Sequence, residues 1–283
     1  PVPYMAALLT ADSGDTEKIS ELVAECNRMN IPVLPPSIND SETTFTIVED
    51  GTKIRFGLGS IKNFGSGIAD AILEERTTNG SFTSINDFLA RLATTALNRK
   101  GLEALIRSGA LDELASRGVL LKNIENLLTF QKESAREARA QDSLFGSTLP
   151  EHRLDLEDAP DPDLKEKLLW EKELLGIYIS GHPLDAYKEK LAKVKTTIAD
   201  VHTKVRTGHP IVLACMVEDV RIILTKKGDK MAFVRIMDPS GSIECVTFPD
   251  TFKAASELLQ PASCIVLKGT LSGRNGEKSI IVE

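Results

Sequence analysis

The chain has 283 residues, 42% of them apolar and 5% aromatic, with 34 basic against 41 acidic side chains and a net charge of −7. That composition supplies core for two or three domains of about 100 residues each, and the absence of any run of roughly 18 apolar residues argues against a membrane-spanning helix. An acidic balance also argues against a protein that wraps duplex DNA, because non-specific affinity comes from neutralising phosphates with Lys and Arg. Four cysteines (Cys26, Cys215, Cys245, Cys264) lie far apart without a Cys-x-x-Cys pair, so buried thiols are expected and neither a disulfide framework nor a zinc site. The start at Pro1, with no initiator methionine or secretion signal, fits a piece of a longer cytoplasmic protein.

In chain order, Ile19, Leu22, Val23 and Cys26 recur at helical spacing over residues 15–29, predicting an amphipathic helix that stops by Asn30 before the proline-rich 31–36. Residues 43–48 and 53–56 flank Glu49-Asp50-Gly51, a β-hairpin signal. The glycine-rich stretch 57–73 follows. Within it Phe64-Gly65-Ser66-Gly67 separates two short helical patterns. Two readings stand for this turn. Its glycines could offer bare backbone N–H groups at a helix start to a phosphate oxygen, as in a helix-hairpin-helix element, or they could serve a tight interhelical turn that needs φ > 0.

Further on, 85–114 reads as a helical region in which Asn98, Arg99 and Lys100 could cap a helix and offer cations to phosphate, or form a solvated basic turn. Gly109 should end that helix. A helix from Leu120 to about Ala140 then leads to Gln141-Asp142-Ser143-Leu144-Phe145, an apolar pair in polar surroundings that suits docking in a partner's pocket, with packing onto the preceding helices as the other reading. Residues 146–164 are rich in proline and acids and read as a loosely packed linker.

The last 80 or so residues predict three strands, a helix and two strands, the order of an OB-fold, a barrel that commonly binds single strands. On its second strand Met231, Phe233, Arg235 and Met237 share one face, and Ala232, Val234 and Ile236 the other. Phe233 and Arg235 with Lys226, Lys227 and Lys230 would form a stacking and phosphate-neutralising patch; equally, Phe233 could be core and the lysines a hairpin tip.

Assembled, these residues resemble the C-terminal half of the DNA polymerase III α subunits, the C-family replicative polymerases of bacteria. The resemblance rests on Tyr4-Met5-Ala6-Ala7-Leu8-Leu9-Thr10, Val33-Leu34-Pro35-Pro36-Ser37-Ile38-Asn39, Phe56-Gly57-Leu58-Gly59-Ser60-Ile61-Lys62, Leu97-Asn98-Arg99-Lys100 and Ile179-Ser180-Gly181-His182-Pro183-Leu184. It implies an α+β multidomain chain, a helical helix-hairpin-helix region followed by a β-barrel. Residues 1–50 would end the fingers domain, 51–145 form the clamp-binding domain, 146–195 an acidic linker with a connecting helix, and 196–283 the OB domain. Gln141, Asp142, Ser143, Leu144 and Phe145 fall where the family carries its sliding-clamp peptide, Gln-x-x-Leu-Phe. Phe64, Gly65, Ser66, Gly67, Asn98, Arg99 and Lys100 would meet duplex backbone, and Lys226, Lys227, Lys230, Phe233 and Arg235 single-stranded DNA.

By the same resemblance the catalytic palm with its Mg²⁺-binding aspartates lies upstream, so this chain alone is expected to be inactive and to hold no cofactor, although the whole polymerase uses Mg²⁺. Its expected partners are DNA, the sliding clamp and other replicase subunits, with no membrane. A non-catalytic adaptor with a protein-binding barrel is the alternative.

Overall fold

The computed structural model describes residues 1–95, 97–141, 154–187, 189, 194–274 and 277–283. They divide into two units, Pro1–Ser180 and Gly181–Glu283.

The first unit opens with helix α1 (Val2–Ala11), unforeseen in the sequence, and α2 (Thr16–Arg28). Ile19, Val23 and Cys26 of α2 are buried and Leu22 half-buried, as the spacing predicts. The helix ends at Asn30, which takes a left-handed φ of 56°. The expected hairpin forms as β2 (Thr46–Val48) and β3 (Lys53–Arg55), and β3 also pairs in parallel with β1 (Val33–Leu34), giving the order β1-β3-β2. A single 3-10 turn, Leu58–Ser60, precedes α3 (Ser66–Asn79). Gly57 passes so close to Thr44 that a Cβ would sit 2.4 Å from its carbonyl carbon. That approach explains the first glycine of the cluster.

The expected helical region 85–114 holds two helices, and the helix expected after it is broken. Residues 85–114 fold as α4 (Ile85–Arg91) and α5 (Arg99–Ser108), the latter closed by Gly109 at φ 84° as expected. The next helix is split at Asn123 into α6 (Arg117–Lys122) and α7 (Ile124–Gln141), and α8 (Leu164–Leu175) completes the unit. One hydrophobic core runs from Met5 to Ile177 and takes side chains from every one of these helices.

The acidic stretch corrects the expectation of loose packing over the part described. Asn123 receives the N–H of Glu157 at 2.9 Å and donates to its carbonyl at 2.8 Å. The Pro160 carbonyl lies on Gly118, where a Cβ would stand 2.0 Å from it, and the Gly118 N–H reaches Asp161. Leu154 and Leu156 pack on the core. Composition suggested a linker; two polar clasps and two leucines make it a strap.

In the second unit a 3-10 turn (Pro183–Tyr187) is organised by His182, whose Nδ1 accepts from the Leu184 N–H at 3.1 Å and whose own N–H donates to Asp185. Helix α9 (Ile198–Thr203) begins with a Thr197/Asp200 capping box. Strands β4 (Pro210–Leu224), β5 (Lys230–Asp238) and β6 (Gly241–Thr247), helix α10 (Pro249–Ala255), then β7 (Cys264–Arg274) and β8 (Glu277–Val282) close a barrel in the order β4-β5-β6-β8-β7. Every pair is antiparallel except β6 with β8. Strand β4 carries a register shift between Val217 and Asp219 where it pairs with β5. The cysteines are free thiols, three of them buried. Burial pushes Cys26 up to about 11 and Cys215 up to about 12, far from the reactive thiolate range.

Candidate nucleic-acid interface

The first candidate surface is built where α3 and α5 begin. Gly65 caps α3 at φ −78°, and neither it nor Gly67 has a positive φ. A Cβ on Gly67 would meet nothing within 4 Å, and one on Gly65 only Ile68 Cδ1 at 4.0 Å. The turn residue with left-handed backbone is Asn63, at φ 65°. A packing turn therefore requires neither glycine. What the glycines leave is open backbone: among the described residues nothing accepts from the N–H groups of Gly65, Ser66 or Gly67, all three exposed. Such a helix start carries unpaired donors and a partial positive charge.

Helix α5 repeats the arrangement. Asn98 caps it by accepting from Gly101 N–H at 2.9 Å, which commits that side chain to the helix. Lys100 is exposed with no ion-pair partner among the described residues. Arg99 is already engaged, by Glu103 at 2.9 Å and by Glu125, so a phosphate must compete for it. Ile68 of α3 joins the two starts, since its Cδ1 lies 3.6 Å from where a Gly101 Cβ would be and 4.0 Å from that of Gly65. The first turns of α3 and α5 thus lie side by side. Phe64 is corrected: it is 6% exposed, a core anchor beneath the hairpin whose ring cannot touch a ligand. Exposed Lys62, just upstream, adds a cation that sequence reasoning left out.

The second surface is the outer face of β5. Ala232, Val234 and Ile236 point into the barrel and are fully buried, so Phe233 points outward and is half-buried. Opposite it on β4 stands Arg221, whose guanidinium lies 5.0 Å from the ring centroid. This preformed cation–π pair was missed in sequence, although the 225–229 turn fixes the register that places Arg221 there. Arg235 is exposed and paired to Glu218 at 3.2 Å. Lys226, Lys227 and Lys230 stand exposed around the hairpin turn, beside Ile222 and Leu224, which are 54% and 67% exposed.

Of the expected clamp peptide, Gln141 is the last residue of α7. Its side chain and Asp142, Ser143, Leu144 and Phe145 lie outside the described residues. Among the described residues no group of three His, Cys, Asp or Glu could hold a metal ion, and no helix is long and apolar enough to cross a membrane.

Comparison with known proteins agrees with this geometry. The helix-hairpin-helix motif family matches residues 30–120, and the OB-fold nucleic acid binding domain family matches 211–283. The DNA polymerase III subunit α of Pseudomonas aeruginosa is 36% identical over 96% of this chain and 25% of its own length. That of Thermus aquaticus is 38% identical over 92% and 21%, and that of Escherichia coli K12 35% over 96% and 24%. The chain spans about a quarter of the length of these relatives. With its helical helix-hairpin-helix region and closed OB barrel, the chain is similar over nearly all of its own length to about a quarter of the bacterial DNA polymerase III α subunits.

Proposed function

We propose that this chain is a DNA-holding and clamp-docking part of a replicative DNA-directed DNA polymerase, working in the cytoplasm with other replicase subunits. Duplex backbone lies on the paired starts of α3 and α5, and single-stranded template crosses the outer face of β5. Nucleotidyl transfer and its Mg²⁺ belong to the rest of such a polymerase, and the chain alone is inactive. The observation that carries this reading is the glycine pair at the start of α3, which neither backbone conformation nor packing requires and which leaves three N–H groups open.

Gly67→Val tests it. The new side chain has free space and valine is a better helix former than glycine, so the fold should hold, while duplex affinity should fall by about tenfold or more, equally for all sequences, because backbone contacts carry no base information. Fluorescence anisotropy over a range of salt should give a negative log–log slope in the parent chain. A folded Gly67→Val that binds duplex as the parent does removes the α3 contact. A parent without a salt slope favours the adaptor.

For the barrel, Phe233→Ala should weaken oligo-dT binding by about 1 to 3 kcal/mol, the worth of one stacked base. Because the ring is outside the barrel core, the thermal midpoint should fall much less than the roughly 3 to 5 kcal/mol expected of a buried phenylalanine would dictate. Unchanged oligo-dT affinity would take Phe233 out of the site.

A further inference from the structure

Between α7 and the loop that joins α4 to α5 lies a cleft of about 600 Å³. Its walls include Leu97, Arg99, Leu128, Gln131, Lys132 and Arg136, and no carboxylate. In a chain of net charge −7 that is a local excess of cations. Lys132 and Arg136 stand one turn apart on α7, both exposed and neither ion-paired among the described residues. At the wall between them and the core sits Gln131, 5% exposed. Its Nε2 donates to the Leu92 carbonyl at 3.2 Å, which holds the carboxamide and leaves Oε1 as an acceptor with no partner among the described residues.

Each part of this cleft suits a different part of one ligand. Cations on the rim suit a phosphate. The leucines suit the face of a base. The Gln131 carbonyl oxygen, an acceptor on the cleft wall, suits an exocyclic amine or ring N–H. The volume is that of a pocket for a small molecule, too small for a helix of duplex. In a duplex the faces of a base are covered by stacking and its Watson–Crick edge by its partner, so a base that lays its face on these leucines is unpaired. Arg99, at the start of α5, lines the cleft and also borders the duplex surface described above, so the two sites adjoin.

We propose that the cleft receives a single unpaired nucleotide of a DNA strand whose duplex portion lies on the starts of α3 and α5. The proposal rests on the duplex-binding reading. It adds a site on α7, with Lys132 and Arg136 on the phosphate and Gln131 on the base edge.

The test uses the whole 283-residue chain and two DNAs, a blunt duplex and the same duplex with a one-nucleotide overhang carrying 2-aminopurine. The overhang should bind about fivefold or more tightly than the blunt end, the lower end of what one stacked base contributes, and its fluorescence should change on binding. Lys132→Gln with Arg136→Gln should erase that preference. Ala135→Trp, which fills the cleft while keeping its charge, should do the same with blunt-duplex affinity unchanged. Equal affinity for the two DNAs, or a preference that survives both variants, overturns the proposal while leaving duplex binding intact. Displacement of the 2-aminopurine signal by dAMP as readily as by the overhang itself overturns the assignment to a strand. A parent chain that binds neither DNA overturns the duplex reading and this site with it.

Discussion

Glu171→Ala is expected to lower the unfolding free energy of the first unit by about 1 to 3 kcal/mol, the scale of lost hydrogen bonds to a charged group. Glu171, on α8, is 1% exposed. One of its oxygens accepts from the N–H groups of Ile179 and Ser180, at 2.9 and 3.0 Å. The other accepts from the Ser180 hydroxyl and lies 3.8 Å from Arg117 Nη2. Arg117, itself 3% exposed, keeps Asp112 as a forked partner and donates to the Arg107 carbonyl, so it is not stranded by the loss. The cost falls on the donors that lose their acceptor, the N–H of half-buried Ile179 and the N–H and hydroxyl of exposed Ser180, which water reaches in part. Glu171→Gln keeps an acceptor and should cost less, with the same sign. Urea denaturation followed by circular dichroism measures both. A Glu171→Ala transition that coincides with the parent's would mean that water replaces the carboxylate at all of these donors.

The Glu171 cluster is one of the features that no sequence pattern exposes. Strand β5 was legible because its inward residues, Ala232, Val234 and Ile236, alternate strictly with outward ones, and a half-buried barrel strand has no other way to be written. The stripe on α2 was legible for the same reason at a different period. Helix α1 was not, because Val2–Ala11 is apolar on most faces and a helix without a polar face has no periodic signal. The break at Asn123 was hidden by apolar residues on both sides that keep helical spacing, whereas Asn98 had offered a cap for α5. At Asn123 the polar side chain that stops α6 also clasps Glu157, 34 residues away. That contact is tertiary, as is the one at Gly118, so composition alone made residues 154–163 look like a linker.

The candidate sites divide along the same line. Residue types at the hairpin and along β5 pointed to phosphate and base chemistry, while the choice between contact and packing waited on geometry. Free space at Gly67 and the outward ring of Phe233 leave both open to a ligand, while Phe64 is taken up by packing. Arg221 and the α7 cations escaped notice because their significance lies in what they face, a ring across the strand pair and a cleft wall from another helix.

The clamp peptide is the site for which sequence still bears the whole weight, and it carries the other large expected effect. Leu144→Ala combined with Phe145→Ala should abolish binding to a bacterial sliding clamp, a loss of about 2 kcal/mol or more in affinity, because apolar anchors that fill a partner's pocket dominate short-peptide interfaces. Gln141→Ala should act in the same direction by removing the amide that orients the peptide. The fold should be spared. On one side of the motif α7 is held by Leu127, Phe130 and Gln131, and on the other Leu154, Leu156 and the clasp at Asn123 hold the strap, so both flanks have anchors that owe nothing to Leu144 or Phe145. Surface plasmon resonance against immobilised clamp, with the thermal midpoint taken on the same samples, separates the two effects. Lost affinity at an unchanged midpoint supports a docking peptide. A lowered midpoint with affinity retained by the folded fraction would place the pair in the core of the first unit, and parental affinity in the double variant would move clamp contact elsewhere on the chain.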